Sequence, residues 1–181
     1  MLMTVDELRQ YIDTQEDARV LEARLQAVEQ QIRGYTGNAF TLRSFGRMAD
    51  IVGRRIELEE PAPYAPGDTV QVSGIYNHGL LTVKEVLSGT AFTVQGPAFD
   101  EIDVYAVKVD YPMDVKLGAA NLISYDLTRR DKAGIASETI SRHAVTYADQ
   151  TAANTALGYP AALTGFLQPY MKARFGEGVR R

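Results

Sequence analysis

The sequence predicts an α+β fold, a small helical bundle with an inserted small β-barrel or sandwich module. Apolar residues recur at helical spacing before residue 39 and after residue 112, whereas alternating β-branched residues, glycines and prolines fill 40–111. The 181 residues are 45% apolar and include no cysteine, so we expect a packed core without disulfides. We predict two regions: helical 1–39 with 112–181, and a β-module at 40–111.

Two helices are predicted in the N-terminal region. Thr4 with Glu7 matches a capping box for a short first helix. Thr14 with Asp17 predicts the start of a longer helix, which Gly34 and Gly37 are expected to end. Its apolar residues recur in steps of four, three and four: Leu21, Leu25, Val28 and Ile32. This stripe favours an ordinary core face, although a helix–helix contact between subunits requires the same pattern.

The β-module is predicted from short alternating runs between turn signals. The predicted strands are 54–58, 69–73, 80–87, 91–94 and 102–109. The turn signals are PGD at 66–68, NHG at 77–79 and SGT at 88–90. A barrel or sandwich of this size is too small to enclose a ligand, so we expect its surface to be the working part.

Helical spacing returns at residue 113. Asp114 is the predicted cap of a third helix with an inward face formed by Val115, Ala119, Leu122 and Ile123. The basic cluster at 129–132 suits the helix C-terminus, and the alternative is that it meets an acidic surface of a neighbouring subunit. Pro160 predicts the start of a final helix with a kink or restart at Pro169, and its predicted face comprises Leu163, Phe166, Leu167, Tyr170 and Met171.

Residues 134–149, GIASETISRHAVTYAD, are polar and alternating although they lie between two helical segments. Such a segment offers extended backbone and short polar side chains more than a core face. We predict an extended arm here, a strand that needs a partner.

Chemical motifs are weak along the chain. His143 lies near Ser141 and Asp149, but no nucleophile-elbow motif surrounds Ser141, and on a strand it only shares a face with His143. His78 is expected to be a solvated turn residue. The sequence contains no GxxxxGK or GxGxxG motif for phosphate binding. We therefore predict no enzyme activity, no cofactor and no metal site.

The charges favour contacts with proteins over contacts with nucleic acid. The formal net charge is −4, with 7 acids and 4 bases in residues 1–33, 10 and 6 in 34–113, and 6 and 9 in 114–181. Tight nucleic-acid binding along such a chain is not expected, whereas charge-complementary docking is. In the carboxylate run Glu57, Glu59 and Glu60, the first two alternate with apolar residues as on a solvated strand edge. The chain has no signal-peptide pattern and no membrane-spanning apolar run, so we expect a non-exported protein.

The order of these segments resembles the head–tail connector (adaptor) proteins of long-tailed bacteriophages. The resemblance is carried by TVDELRQYID, IRGYTGNAF, DVKLGAANLISYDLTRRDKAG, the arm, and the final PYMKARFG. The central VQVSGIYNHGLLTVKEV is similar to a β-insertion found in one subgroup of that family. The resemblance covers nearly the whole chain through soft patterns.

This resemblance implies a structural virion protein at the head–tail junction, the neck of the particle. The helical region would be a ring-forming connector core, with a homo-oligomeric, twelvefold ring beneath the portal protein. The ring would link the portal to a stopper or tail-completion protein, with DNA only passing through its lumen and no membrane involved. It would assemble in the host cytoplasm.

Two groups of residues receive roles from this reading. The portal-docking residues are Leu167, Tyr170, Met171, Arg174, Phe175, Arg180 and Arg181. The arm residues expected to pair with another subunit are Ser137, Thr139, Ser141, His143, Val145 and Tyr147. The alternative function is a non-enzymatic protein-binding module whose β-insert recognises a host or virion decoration protein.

Overall fold

A computed structural model of the protein describes residues 1–128, 137–140, 143–146 and 155–173. The chain divides into two compact units, Met1 with Ala39–Tyr111, and Leu2–Asn38 with Pro112–Arg181. The first unit contains the strands β1 (Arg47–Val52), β2 (Arg55–Leu58), β3 (Thr69–Ser73), β4 (His78–Val86), β5 (Ala91–Gln95) and β6 (Glu101–Val109). The second contains the helices α1 (Val5–Tyr11), α2 (Ala18–Thr36), α3 (Met113–Thr128) and α4 (Ala161–Thr164). The predicted α+β fold with a β-barrel module is confirmed.

The six strands close into an antiparallel barrel in the order β1-β2-β5-β4-β3-β6. Pairing of β1 with β6, for example Met48 opposite Tyr105, completes the closure and makes the module a barrel and not a sandwich. Its interior is filled by side chains such as Ile56, Val70 and Phe92, each at most 1% exposed. Because every strand has two neighbours, the barrel has no strand edge of its own.

Strand β1 is absent from the predicted strands, although its burial alternates. Ala49 and Ile51 point inward, while Met48, Asp50 and Val52 are exposed. Since β2 lies between β1 and β5, the expectation that Glu57 and Glu59 lie at a strand edge is wrong. The expectation failed because β1 was not predicted, and β1 pairs with β2 on that side.

The N-terminal helices begin at side chains that accept hydrogen bonds from the helix backbone. The Thr4 hydroxyl accepts a hydrogen bond from the Glu7 N–H at 3.1 Å, as predicted for the first cap. Helix α2 begins after Asp17, whose carboxylate accepts from the Arg19 N–H at 2.8 Å, so the predicted start at Thr14 is three residues too early. The helix continues through Gly34 and ends at Gly37, which has the left-handed conformation.

Helix α3 supplies a central part of the second unit's core. Its four predicted inward residues are all fully buried, and α3 contacts α1, α2 and α4. Gly118 is also buried, because the Phe166 ring lies where a side chain would be; a Cβ there would come within 2.4 Å of that ring. The helix begins at Met113, so Asp114 lies in its first turn and is not the cap that was predicted. The Asp114 carboxylate instead accepts a hydrogen bond from the Tyr170 hydroxyl.

The terminal segment differs from the single helix that was predicted. Two short strands, β9 (Thr155–Ala156) and β10 (Tyr159–Pro160), form a hairpin before α4. From Gly165 the chain continues as a 3₁₀ helix, Gly165–Tyr170. Pro169 explains the change, because its ring would clash with the carbonyl of Gly165 in a continuous α-helix. Of the predicted apolar face, only Leu167 is fully buried.

The predicted arm at 134–149 is not one extended strand. Its described part forms two strands, β7 (Ser137–Ile140) and β8 (His143–Thr146), paired antiparallel with Ile140 opposite His143. The segment thus provides its own first partner. Among the described residues, this sheet has only these two strands.

Candidate functional site

Three loops of the barrel meet at one end, and two of them close hairpins. They are residues 53–54, 74–77 and 96–100, and they join β1 to β2, β3 to β4, and β5 to β6. Because neighbouring strands are all antiparallel, these loops open at the same end. We call them, with the flanking Val52, Glu101 and Ile102, the barrel tip. The chain enters and leaves this unit at the other end, where the Asp110 N–H donates to the carbonyl of Phe40.

The barrel tip exposes large apolar side chains. The exposed fractions are 87% for Ile75, 72% for Ile102, 71% for Tyr76, and 64% for both Phe99 and Val52. Scattered apolar residues on a surface are ordinary, but several on adjoining loops form a patch. Such a patch is typical of a surface that binds another macromolecule.

The Glu101 carboxylate organises the 74–77 loop. One oxygen accepts from the N–H groups of Ile75 and Tyr76, and the other accepts from the Asn77 N–H at 2.9 Å and the Asn77 side-chain amide at 2.7 Å. Desolvation by itself would raise the pKa of Glu101, but these hydrogen bonds hold the pKa below its ordinary 4.5. Gly74 makes this approach possible, because a Cβ there would lie 2.6 Å from the carboxylate oxygens.

Asn77 joins this loop to the next one. Its amide donates to the carbonyl of Phe99 at 2.9 Å and accepts from the Phe99 N–H at 2.9 Å. Asn77 is only 7% exposed, so both hydrogen bonds are shielded from water. Asp100 in turn accepts from the Gly53 N–H of the third loop. Side chains therefore connect all three loops, and the apolar residues stand on an ordered support.

The three predicted portal-docking residues within the described chain differ in exposure. Leu167 is fully buried, so its side chain belongs to the protein's own core, whereas Met171 is 45% exposed. The Tyr170 hydroxyl donates to both Asp114 oxygens at 2.8 Å, which raises the pKa of Tyr170. The Lys172 N–H donates to the carbonyl of Thr36 at 2.8 Å, so the segment is attached to α2. Four further residues lie outside the described part of the chain: Arg174, Phe175, Arg180 and Arg181.

The predicted arm residues fall on both strands of the hairpin. Ser137 and Thr139 lie on β7, while His143 and Val145 lie on β8. Ser141 and Tyr147 lie outside the described residues, as does Asp149 of the weak catalytic trio.

The other candidate chemical residues are exposed or form ion pairs with nearby side chains. His78 is exposed at the start of β4. Glu57 pairs with Arg55 at 2.5 Å, and Glu60 with Arg47 at 3.2 Å. Within the described residues no group of three or more histidines, aspartates or glutamates is placed to hold a metal ion. No described helix combines the length and apolarity that crossing a membrane requires.

The sequence interpretation did not single out the barrel tip. In the sequence, the feature that pointed to this surface was the apolar pair Ile75 and Tyr76 beside the NHG turn signal. No protein-family model matches the chain, and no curated protein matches it either. Function is therefore inferred from the described geometry and the order of the elements.

Proposed function

We propose that this protein is a non-enzymatic structural component of a bacteriophage head–tail junction. Copies of the chain form a ring, twelvefold to match the portal, through a helical connector core. The ring attaches beneath the portal protein and links it to the stopper or tail-completion protein, while DNA passes through the lumen. The helical segments before and after the barrel, together with the polar hairpin, support this proposal because they follow the order of elements that the connector resemblance implies.

The observation that carries the proposal is the two-stranded hairpin of β7 and β8. Residues opposite each other alternate between hydrogen-bonded and non-hydrogen-bonded pairs. In a hairpin with two intervening residues, the flanking pair, here Ile140 and His143, is hydrogen-bonded. Thr139 and Ala144 are then a non-hydrogen-bonded pair, and their N–H and C=O groups face outward. An outward edge of this kind suits backbone pairing with a strand of another subunit.

Proline at Thr139 tests the pairing. The substitution removes an outward N–H without removing a donor from the hairpin's own ladder, so the monomer should fold while ring formation is lost. Thr139→Val is the matched control, because it keeps the N–H and should form rings. Circular dichroism reports folding, and negative-stain images with the portal report rings. Normal rings from Thr139→Pro would exclude pairing through this edge.

Deletion of residues 172–181 tests portal attachment. Within the described chain it removes the single hydrogen bond from Lys172 to Thr36, so the fold should remain. We expect portal attachment to be abolished, as measured by co-sedimentation with portal rings. Met171→Ser changes an exposed apolar residue and leaves residues 172–181 in place. It therefore distinguishes a contribution of Met171 to portal attachment from a contribution of the tail. Unchanged attachment of the truncated protein would contradict docking through the tail.

A second function is favoured by the barrel tip. The β-insert would be a binding module that recognises a host or virion decoration protein. Its support is the set of exposed apolar residues on hydrogen-bonded loops, which the ring proposal does not use. Analytical ultracentrifugation of the tip variants described below should show unchanged ring assembly if the two functions are separate.

A further inference from the structure

We propose that the barrel tip docks onto a protein surface with an apolar centre and a border of lysine or arginine side chains. The proposal rests on the barrel acting as a binding module and names the chemistry of its partner. It is independent of ring formation. Three features of the tip support it: exposed apolar area, ordered loops and an excess of negative charge.

The apolar centre of the proposed contact comes from four side chains on two loops and the start of β6. Ile75, Tyr76, Phe99 and Ile102 are each at least 64% exposed. A few fully buried residues, tyrosine prominent among them, contribute most of the binding energy of a protein contact. Exposed apolar area in water is unfavourable, so covering these residues provides a driving force.

The loops that carry these residues are ordered before any partner arrives. Glu101 accepts four hydrogen bonds from the 74–77 loop, and Asn77 makes two with Phe99. A surface already in its binding conformation loses less entropy when it binds. This support distinguishes the tip from single exposed apolar residues such as Leu87, which lies at the other end of the barrel.

The charge around the apolar centre selects the partner. Asp50, Asp100 and Asp103 are exposed at or beside the tip, and Asp50 accepts from the Asp103 N–H at 3.1 Å. The neighbouring cations are Arg54 and Arg55, and the Arg55 guanidinium is paired with Glu57 at 2.5 Å. Carboxylates thus outnumber available cations. A basic border complements this surface, while an anionic membrane or a second copy of the tip would be repelled.

The experiment uses the full-length chain, labelled with ¹⁵N, and probes of defined chemistry. One probe is a synthetic amphipathic helix of leucine and lysine, and its counterpart has glutamate in place of lysine. Vesicles of phosphatidylcholine, with and without phosphatidylserine, form a third arm. The tip variant combines Ile75→Ser with Ile102→Ser. The matched control is Leu87→Ser, which removes a 48% exposed leucine from the far end of the same barrel.

The leucine–lysine peptide should shift the amide signals of residues 74–77 and 96–102 and should bind more weakly as salt is raised. The tip variant should weaken binding at least about tenfold, and Leu87→Ser less than about twofold. Glu101→Gln, which loosens the loop without changing an apolar residue, should weaken binding by a smaller factor. The proposal is overturned by equal binding of both peptides, by unchanged binding of the tip variant, by vesicle binding at the tip, or by no binding at all.

Discussion

The barrel and the β7–β8 hairpin differ in how many of their backbone N–H and C=O groups are hydrogen-bonded between strands. Every barrel strand has a neighbour on both sides, so the barrel presents no free strand for pairing, and its loops expose apolar side chains. The hairpin has two strands within the described chain and therefore retains outward backbone groups. The comparison indicates that the barrel is suited to recognition through side chains, and the hairpin to assembly through backbone pairing.

The largest effects on stability are expected from shortening side chains in the cores of the two units. Phe92→Ala, in the barrel interior, should lower the free energy of unfolding by about 3–5 kcal/mol. Leu167→Ala, in the helical unit, should cost about 2–5 kcal/mol, because Leu167 is fully buried and not a free docking residue. Urea unfolding measures both losses. A Leu167→Ala protein of unchanged stability would restore Leu167 as a docking residue.

A pair of glycine substitutions sharpens the account of the helical unit. Gly118→Ala should destabilise the protein by about 1–3 kcal/mol, because the new Cβ overlaps the Phe166 ring. Gly34→Ala is the matched control on α2, where nothing lies within 4 Å, and it should stabilise by about 0.5–1 kcal/mol. Thermal unfolding should give shifts of opposite sign. Equal shifts would mean that helix propensity alone decides both positions.

Gly74→Ala tests whether the tip is held by Glu101. The Cβ would lie 2.6 Å from the carboxylate and should displace it from the 74–77 loop. The amide protons of residues 75–77 should then exchange several-fold faster, while those of the strands stay protected. At Gly89 an added Cβ meets only Pro61 at 3.7 Å, so Gly89→Ala is the control. Unchanged exchange in Gly74→Ala would show that the carboxylate is dispensable.

The smallest expected effect is a pH dependence confined to the same loop. The folded protein lowers the pKa of Glu101, so its contribution is fully present above the ordinary value of 4.5. The contribution is lost as the pH falls through the lowered pKa, because the protonated carboxyl is a poorer acceptor. The amide signals of residues 75–77 should follow this titration, and Glu101→Gln should abolish it. A midpoint at or above 4.5 would contradict the hydrogen-bonded arrangement.

The sequence predicted most strands and helices that bury one face. The predicted strands at 69–73 and 91–94 overlap β3 and β5, and the α2 and α3 stripes are buried. Strand β1 was missed because Met48 and Val52 are apolar although they point outward, which conceals the alternation. The hairpin was taken for one strand because Ser141 and Arg142 between its strands are not a typical turn pair.

The barrel tip required the tertiary structure. Glu101 and Asn77 are 24 residues apart, and their contact depends on the register that pairs β3 with both β4 and β6. A lone glutamate at a predicted strand end carries no such information. An interruption at Pro169 was foreseeable, but the start of the 3₁₀ helix at Gly165 depends on packing against α2 and α3.

Electron microscopy of the protein mixed with a bacteriophage portal protein tests the proposed function most directly. We predict a ring of copies attached beneath the portal, with attachment retained in the Ile75→Ser and Ile102→Ser variant and rings lost in Thr139→Pro. A protein that stays monomeric and never joins the portal would contradict the connector function.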